Sequence, residues 1–172
     1  MLSEERRSRS NEAAQPRIVV GVDGSQISLR ALAWAAREAC LRGAILEVVH
    51  ATFLCRDAME LEAVAPLKAR EWAILDEAVA KAGAQAPGLV VVARAVDPPA
   101  ADALVNISKD ADLLVVGSRG LGLFKEFALG SVSEDCVRLA QCPLVIIGPR
   151  TLQGAMVADD VERQPSVGDR RP

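Results

Sequence analysis

Short runs of aliphatic and β-branched residues alternate along the chain with longer stretches whose apolar positions recur every three or four residues. The first run, RIVVGV at 17–22, is followed by SQISLRALAWAAREACLRG at 25–43, in which Leu29, Leu32, Ala36, Ala39 and Cys40 recur at helical spacing. Ser25 can accept a hydrogen bond from a first-turn amide and Gly43 can take the left-handed conformation that stops a helix, so the pattern predicts a strand and then a helix. AILEVVHA at 44–51 is the second strand. A helix over about 66–82 follows, with Pro66 near its start, Trp72, Leu75, Val79 and Ala82 along one face, and Gly83 at its end. GLVVVARAV at 88–96 reads as the third strand, and Pro98 and Pro99 open a helix carrying Ala103, Leu104, Ile107 and Ser108. ADLLVVG at 111–117 is apolar enough for a central strand buried on both faces. After a glycine-rich stretch come a helix, SVSEDCVRLAQ at 131–141, and a last strand, PLVIIG at 143–148, where Pro143 occupies a first position that tolerates its missing donor.

Strands that alternate with helices require right-handed crossovers and a parallel sheet covered on both faces. The expected architecture is a three-layer α/β/α sandwich around a five-stranded parallel sheet of order 3-2-1-4-5. In such sheets ligands bind beyond the carboxyl ends of the strands, where the strand order reverses. Two turns fall there, GVDGS at 21–25 after the first strand and GSRG at 117–120 after the fourth, and the order brings them together in space.

Length and composition limit the alternatives. A chain of 172 residues that is 51% hydrophobic can bury one sizeable core, expected over 17–149. Residues 1–16, with Arg6, Arg7 and Arg9, and residues 150–172 lack hydrophobic periodicity and are expected to be mobile tails. With 20 basic against 23 acidic residues there is no electrostatic reason to expect nucleic acid as a partner. No apolar run is long enough to span a membrane, and the N-terminal segment lacks the apolar stretch of a signal peptide, so a soluble cytoplasmic protein is expected. Cys40, Cys55, Cys136 and Cys142 form no CxxC pair and are expected as buried reduced thiols. His50 is the single histidine, which argues against a histidine metal site and against a Ser-His-Asp triad.

The chemistry concentrates in LLVVGSRGLGLFKEFALGSVS at 113–133. Glycines at 117, 120, 122 and 130 let the backbone approach a ligand, and Ser131 and Ser133 add hydroxyl donors at a helix start whose amides have no intrahelical partner. Those amides and the helix dipole favour an anion such as phosphate. Arg119 and Lys125 are the basic residues of the loop. The plainer alternative is that Asp23, Ser25, Ser131 and Ser133 only cap turns and helices. There is no GxGxxG after the first strand and no GxxxxGK[ST] anywhere in the chain.

The spacing Gly117-x-x-Gly120, nine residues, then Gly130-Ser131 resembles the ATP-binding motif of universal stress proteins, in the style of their actinobacterial members. VVGVDGS, ALAWAAREA, VVHA, ADLLVVGSRG and CPLVII extend the likeness over about residues 17–149. The resemblance implies an adenine nucleotide α-hydrolase-like fold that binds ATP, with Mg2+ as an optional companion. It implies that Asp23 contacts the ribose with Gly21 lining the same turn, and that Ala51 lies beside the adenine. Gly117, Ser118, Arg119 and Gly120 would line the phosphate side, and Gly130, Ser131, Val132 and Ser133 would wrap the phosphates. It further implies a homodimer paired through the last strand.

Two departures stand out. Asp97-Pro98 replaces a frequent Gly-Pro pair, and Phe124 and Phe127 make the glycine loop bulkier. No set of residues supplies the water-positioning group, metal site and charge stabilisation that rapid phosphoryl transfer needs. The expected function is therefore a nucleotide-responsive regulatory module in stress adaptation, with slow or no hydrolysis. The alternative is an enzyme of the adenine nucleotide α-hydrolase group acting on an activated substrate.

Overall fold

In the computed structural model, which describes residues 15–52, 65–119 and 129–149, the central strand β1 (Arg17–Gly21) pairs in parallel with β2 (Ile45–Ala51) on one side and β4 (Leu113–Gly117) on the other. β3 (Val91–Val96) extends the sheet beyond β2 and β5 (Leu144–Ile147) beyond β4. The resulting order, β3-β2-β1-β4-β5, is the one expected from the sequence. Nearly all of the two terminal segments expected as tails lies outside the described residues, as do Cys55, Gly120, Gly122, Phe124, Lys125 and Phe127.

Alternate residues of the central strands point to opposite faces, and both faces are buried. Ile18, Val20, Leu46, Val48, Leu113 and Val115 form one core with α1 (Gln26–Arg42) and α2 (Ala65–Gln85). Val19, Val49, Leu114 and Val116 form the other with Leu104 of α3 (Ala100–Ile107) and Cys136 of α4 (Ser131–Leu139). Four small residues, Ala31, Ala35, Ala36 and Ala39, are fully buried on α1. That stripe lets the helix lie close to the sheet, and its ends are set as expected: Ser25 accepts from the Ser28 amide and Gly43 takes φ 62°.

α2 departs from the expectation at its end and on its face. Gly83 does not stop it; the helix runs on to Gln85, and the left-handed glycine is Gly88, with φ 86°. Gly83 stays within the helix, and the chain turns between buried Ala86 and Leu89, whose amide donates to the Ala86 carbonyl at 3.1 Å. The buried stripe is Leu75, Ala78 and Ala82, whereas Trp72 is 55% exposed. Cys40 is exposed on its helix, so among the described cysteines Cys136 is the buried one, with Cys142 partly so.

Candidate functional site

The carboxyl ends of β1, β2, β3 and β4 open onto one cleft of about 360 Å3, within the size range of small-ligand sites. The turn after β1 forms its first side. Asp23 Oδ1 accepts the Ser25 amide at 3.0 Å, Ser25 Oγ accepts the Ser28 amide at 3.1 Å, and the Asp23 amide donates to Ser28 Oγ at 3.3 Å. Gly24, with φ 80°, makes that turn possible without strain. Asp23 is thus both a turn-closing residue and part of the cleft wall, together with Gly21.

The segment after β4 forms the opposite side. A Cβ on Gly117 would lie 2.9 Å from Ile27 Cγ2 and 3.2 Å from the Ser28 amide nitrogen, so this glycine admits the first turn of α1 against the end of β4. Ser118 is buried and is not part of the cleft surface. Its amide donates to the Ile147 carbonyl at 2.8 Å, and its own carbonyl accepts the Gly130 amide at 2.8 Å. Arg119 does line the cleft, and its Nε is buried without a hydrogen-bond partner among the described residues. Gly120, expected at the same loop, lies outside them.

α4 begins at the cleft with Gly130 as its N-cap, in extended conformation and with no side chain to cap the first turn. The amides of Ser131, Val132 and Ser133 therefore have no intrahelical partner, and all three residues line the cleft. The two serines differ. Ser131 is exposed, while the Ser133 hydroxyl is buried and lies 2.8 Å from the Gly130 carbonyl and 3.0 Å from the Ser118 carbonyl. A hydroxyl has one hydrogen to donate, so that of Ser133 is committed to the main chain.

The remaining wall is apolar, with Ala51 at the end of β2, Val96 and Pro98 after β3, Leu104 of α3 and Ile74 of α2. Into it project two residues that the sequence does not single out. His50 is 5% exposed, with Nδ1 2.9 Å from the Val22 carbonyl oxygen and Nε2 2.9 Å from Glu71 Oε2. A histidine ending a strand and a glutamate in an amphipathic helix carry no signal of their pairing until α2 is laid over β2.

The donor set suits a nucleotide. Unpaired amides and the Arg119 guanidinium gather at the β4 end, a carboxylate stands at the β1 turn, and an apolar slot lies on the β2–β3 side. No group of three or more metal-ligating side chains occurs among the described residues.

Fold and cleft together define a parallel α/β protein with a small-ligand cleft at the point where strand order reverses. The profile of the universal stress protein family matches residues 16–148, and the chain belongs to that family. It is 39% identical over 139 residues to universal stress protein Rv2623 of Mycobacterium tuberculosis, a match covering 76% of this chain and 46% of the relative. The chain thus spans about half the length of the curated relatives it matches. A universal stress protein solved in complex with cAMP superposes with a TM-score of 0.62 at 34% identity, covering 79% of this chain and 98% of the other. The Archaeoglobus fulgidus universal stress protein solved in complex with dAMP gives 0.58 at 26% identity, covering 77% of this chain and 97% of that one. No helix among the described residues is long and apolar enough to cross a membrane.

Proposed function

We propose that this chain binds an adenine nucleotide, ATP foremost, in the cleft at the ends of β1 and β4 and acts as a nucleotide-responsive regulatory module. The observation that carries this reading is convergence. Segments 21–25, 117–119 and 130–133 are far apart in sequence, yet they meet around a single cleft that is polar at one end and apolar at the other. Relatives solved with cAMP and dAMP support the adenine class. Asp23 is suited to the ribose, the α4 amides and Arg119 to the phosphates, and Mg2+ would join through phosphate oxygens and Asp23.

Hydrolysis is slow or absent in this reading. His50 is engaged with Val22 and Glu71, and the described residues do not together supply the water-positioning group, metal site and charge stabilisation that rapid phosphoryl transfer needs. The β5 edge, with Leu144, Val145 and Ile146 half-buried, is the surface on which a second copy would pair.

Calorimetric titration of ATP, ADP and AMP into nucleotide-stripped protein tests the central claim. Saturable binding weakened by Asp23→Ala is expected, and absence of binding by all three overturns the reading. A time course of phosphate release tests the slow turnover. Sedimentation tests pairing, with a monomer at all concentrations as the outcome against it.

A further inference from the structure

His50 and Glu71 form a fixed polar pair on the β2 side of the cleft, one strand removed from the loop after β4. The Val22 carbonyl can only accept, so His50 Nδ1 carries a hydrogen. Nε2 and Glu71 Oε2, 2.9 Å apart, then share one proton, whichever atom holds it. Either way the pair is neutral as a unit, the carboxyl group is held in one orientation, and its second oxygen remains an acceptor. That oxygen, Oε1, has no hydrogen-bond partner among the described residues, and the Glu71 side chain is 26% exposed.

The surroundings make such an acceptor selective. Ile74 follows Glu71 by one turn on the same face of α2, and Ala51, Val96 and Pro98 complete an apolar slot. A flat ring in that slot would bring its edge to the Glu71 carboxyl group, which lines the same cleft. An N–H donor on that edge satisfies the oxygen, while a carbonyl oxygen facing it meets like partial charge and displaces a water without replacing its bond.

We infer that Glu71, oriented by His50, determines base specificity by accepting a hydrogen bond from the exocyclic amino group of adenine and by disfavouring 6-oxopurines. This rests on the adenine-nucleotide reading above. His50 is the positioning residue, since it acts only through the carboxyl group it holds. A purely structural role, in which the pair merely ties α2 to β2, would not distinguish one base from another.

ATP and ITP, which share their ribose and phosphates and differ at the purine six-position, separate these roles when titrated into the whole chain. The wild type is expected to bind ATP at least about tenfold more tightly than ITP. In Glu71→Met the side chain keeps its length but offers the base no carboxyl acceptor, so the ATP:ITP ratio is expected to fall to about one. His50→Asn retains a donor toward Val22 but releases Glu71, and should also lower the ratio while thermal melting confirms that the variant is folded. Equal wild-type affinities, or an unchanged ratio in Glu71→Met, overturn the inference while leaving nucleotide binding intact. Binding of neither nucleotide overturns the underlying reading and this inference with it.

Discussion

The hydroxyl of Ser133 lies 3.0 Å from the carbonyl oxygen of Ser118, joining the first turn of α4 to the residue that follows β4. Ser118 also accepts the Gly130 amide, so two bonds on one carbonyl fix where the free amides of α4 stand relative to the sheet. Ser133 thereby helps to set the start of α4 against the end of β4.

Ser133→Ala should therefore act on stability first. Both carbonyls that Ser133 touches keep another donor, Gly130 N for Ser118 and Glu134 N for Gly130, so the loss should be about 1 kcal/mol. Urea denaturation measures it. Ser131→Ala, on an exposed side chain, should change stability by less than about 0.5 kcal/mol and act instead on nucleotide affinity. The reverse ranking would mean that the Ser133 hydroxyl is turned toward ligand in solution.

Glycines 117 and 83 make opposite demands on a new methyl group. At Gly117 an added Cβ meets Ile27 at 2.9 Å and the Arg119 carbonyl oxygen at 3.2 Å; at Gly83 it meets nothing within 4 Å. Gly117→Ala must push α1 from the end of β4 and should cost about 1–3 kcal/mol. Gly83→Ala sits in the helical conformation of α2 and should stabilise by about 0.5–1 kcal/mol. Paired thermal melts decide both signs.

What could be read in advance divides along the same line. Strand order and the two turns at the carboxyl edge were legible because burial of both sheet faces leaves uninterrupted apolar runs, as in Leu113–Gly117, and because Ser25 and Gly43 are local cap signals. Gly83 and Gly117 look alike in sequence, and only packing separates a helical glycine from one that admits a neighbouring helix. The same holds for Trp72, which shares its helix with buried Leu75 but faces outward, and for Ser133, whose hydroxyl turns inward while that of Ser131 has no such anchor. The His50–Glu71 contact spans 21 residues and depends on how α2 lies over β2. None of these is encoded by a residue type at a spacing; each follows from the placement of one element on another.

A charged cluster that spans β1, β2 and β3 offers another test. Glu47, 3% exposed on β2, lies 2.6 Å from Arg17 on β1 and 2.6 Å from Arg94 on β3. Removing the shared carboxylate leaves two guanidinium groups facing each other, and Glu47→Gln should destabilise by about 2 kcal/mol, less than a fully buried pair would lose because both arginines reach solvent. Arg94 is half-exposed, so Arg94→Ala should cost less than about 1 kcal/mol. A double-mutant cycle on Glu47 and Arg94 measures the coupling directly.

Cys136 gives the chain a pH dependence on the alkaline side. Burial on the inner face of α4, reinforced by the negative charges of Asp135 and Cys142, pushes its thiol from 9.0 up to about 11. Above about pH 9 the unfolded chain loses this proton while the native protein retains it, so the unfolded state binds fewer protons and stability falls as pH rises. The loss should approach but not exceed about 1.4 kcal/mol per pH unit between pH 9 and 11. Denaturation at pH 8, 9, 10 and 11 should show that decline in the wild type and a shallower one in Cys136→Ala. The same burial predicts that a thiol reagent modifies exposed Cys40 in the native protein and reaches Cys136 only on unfolding. Rapid native-state labelling of Cys136, or a Cys136→Ala variant with the full alkaline slope, would locate the titrating group elsewhere.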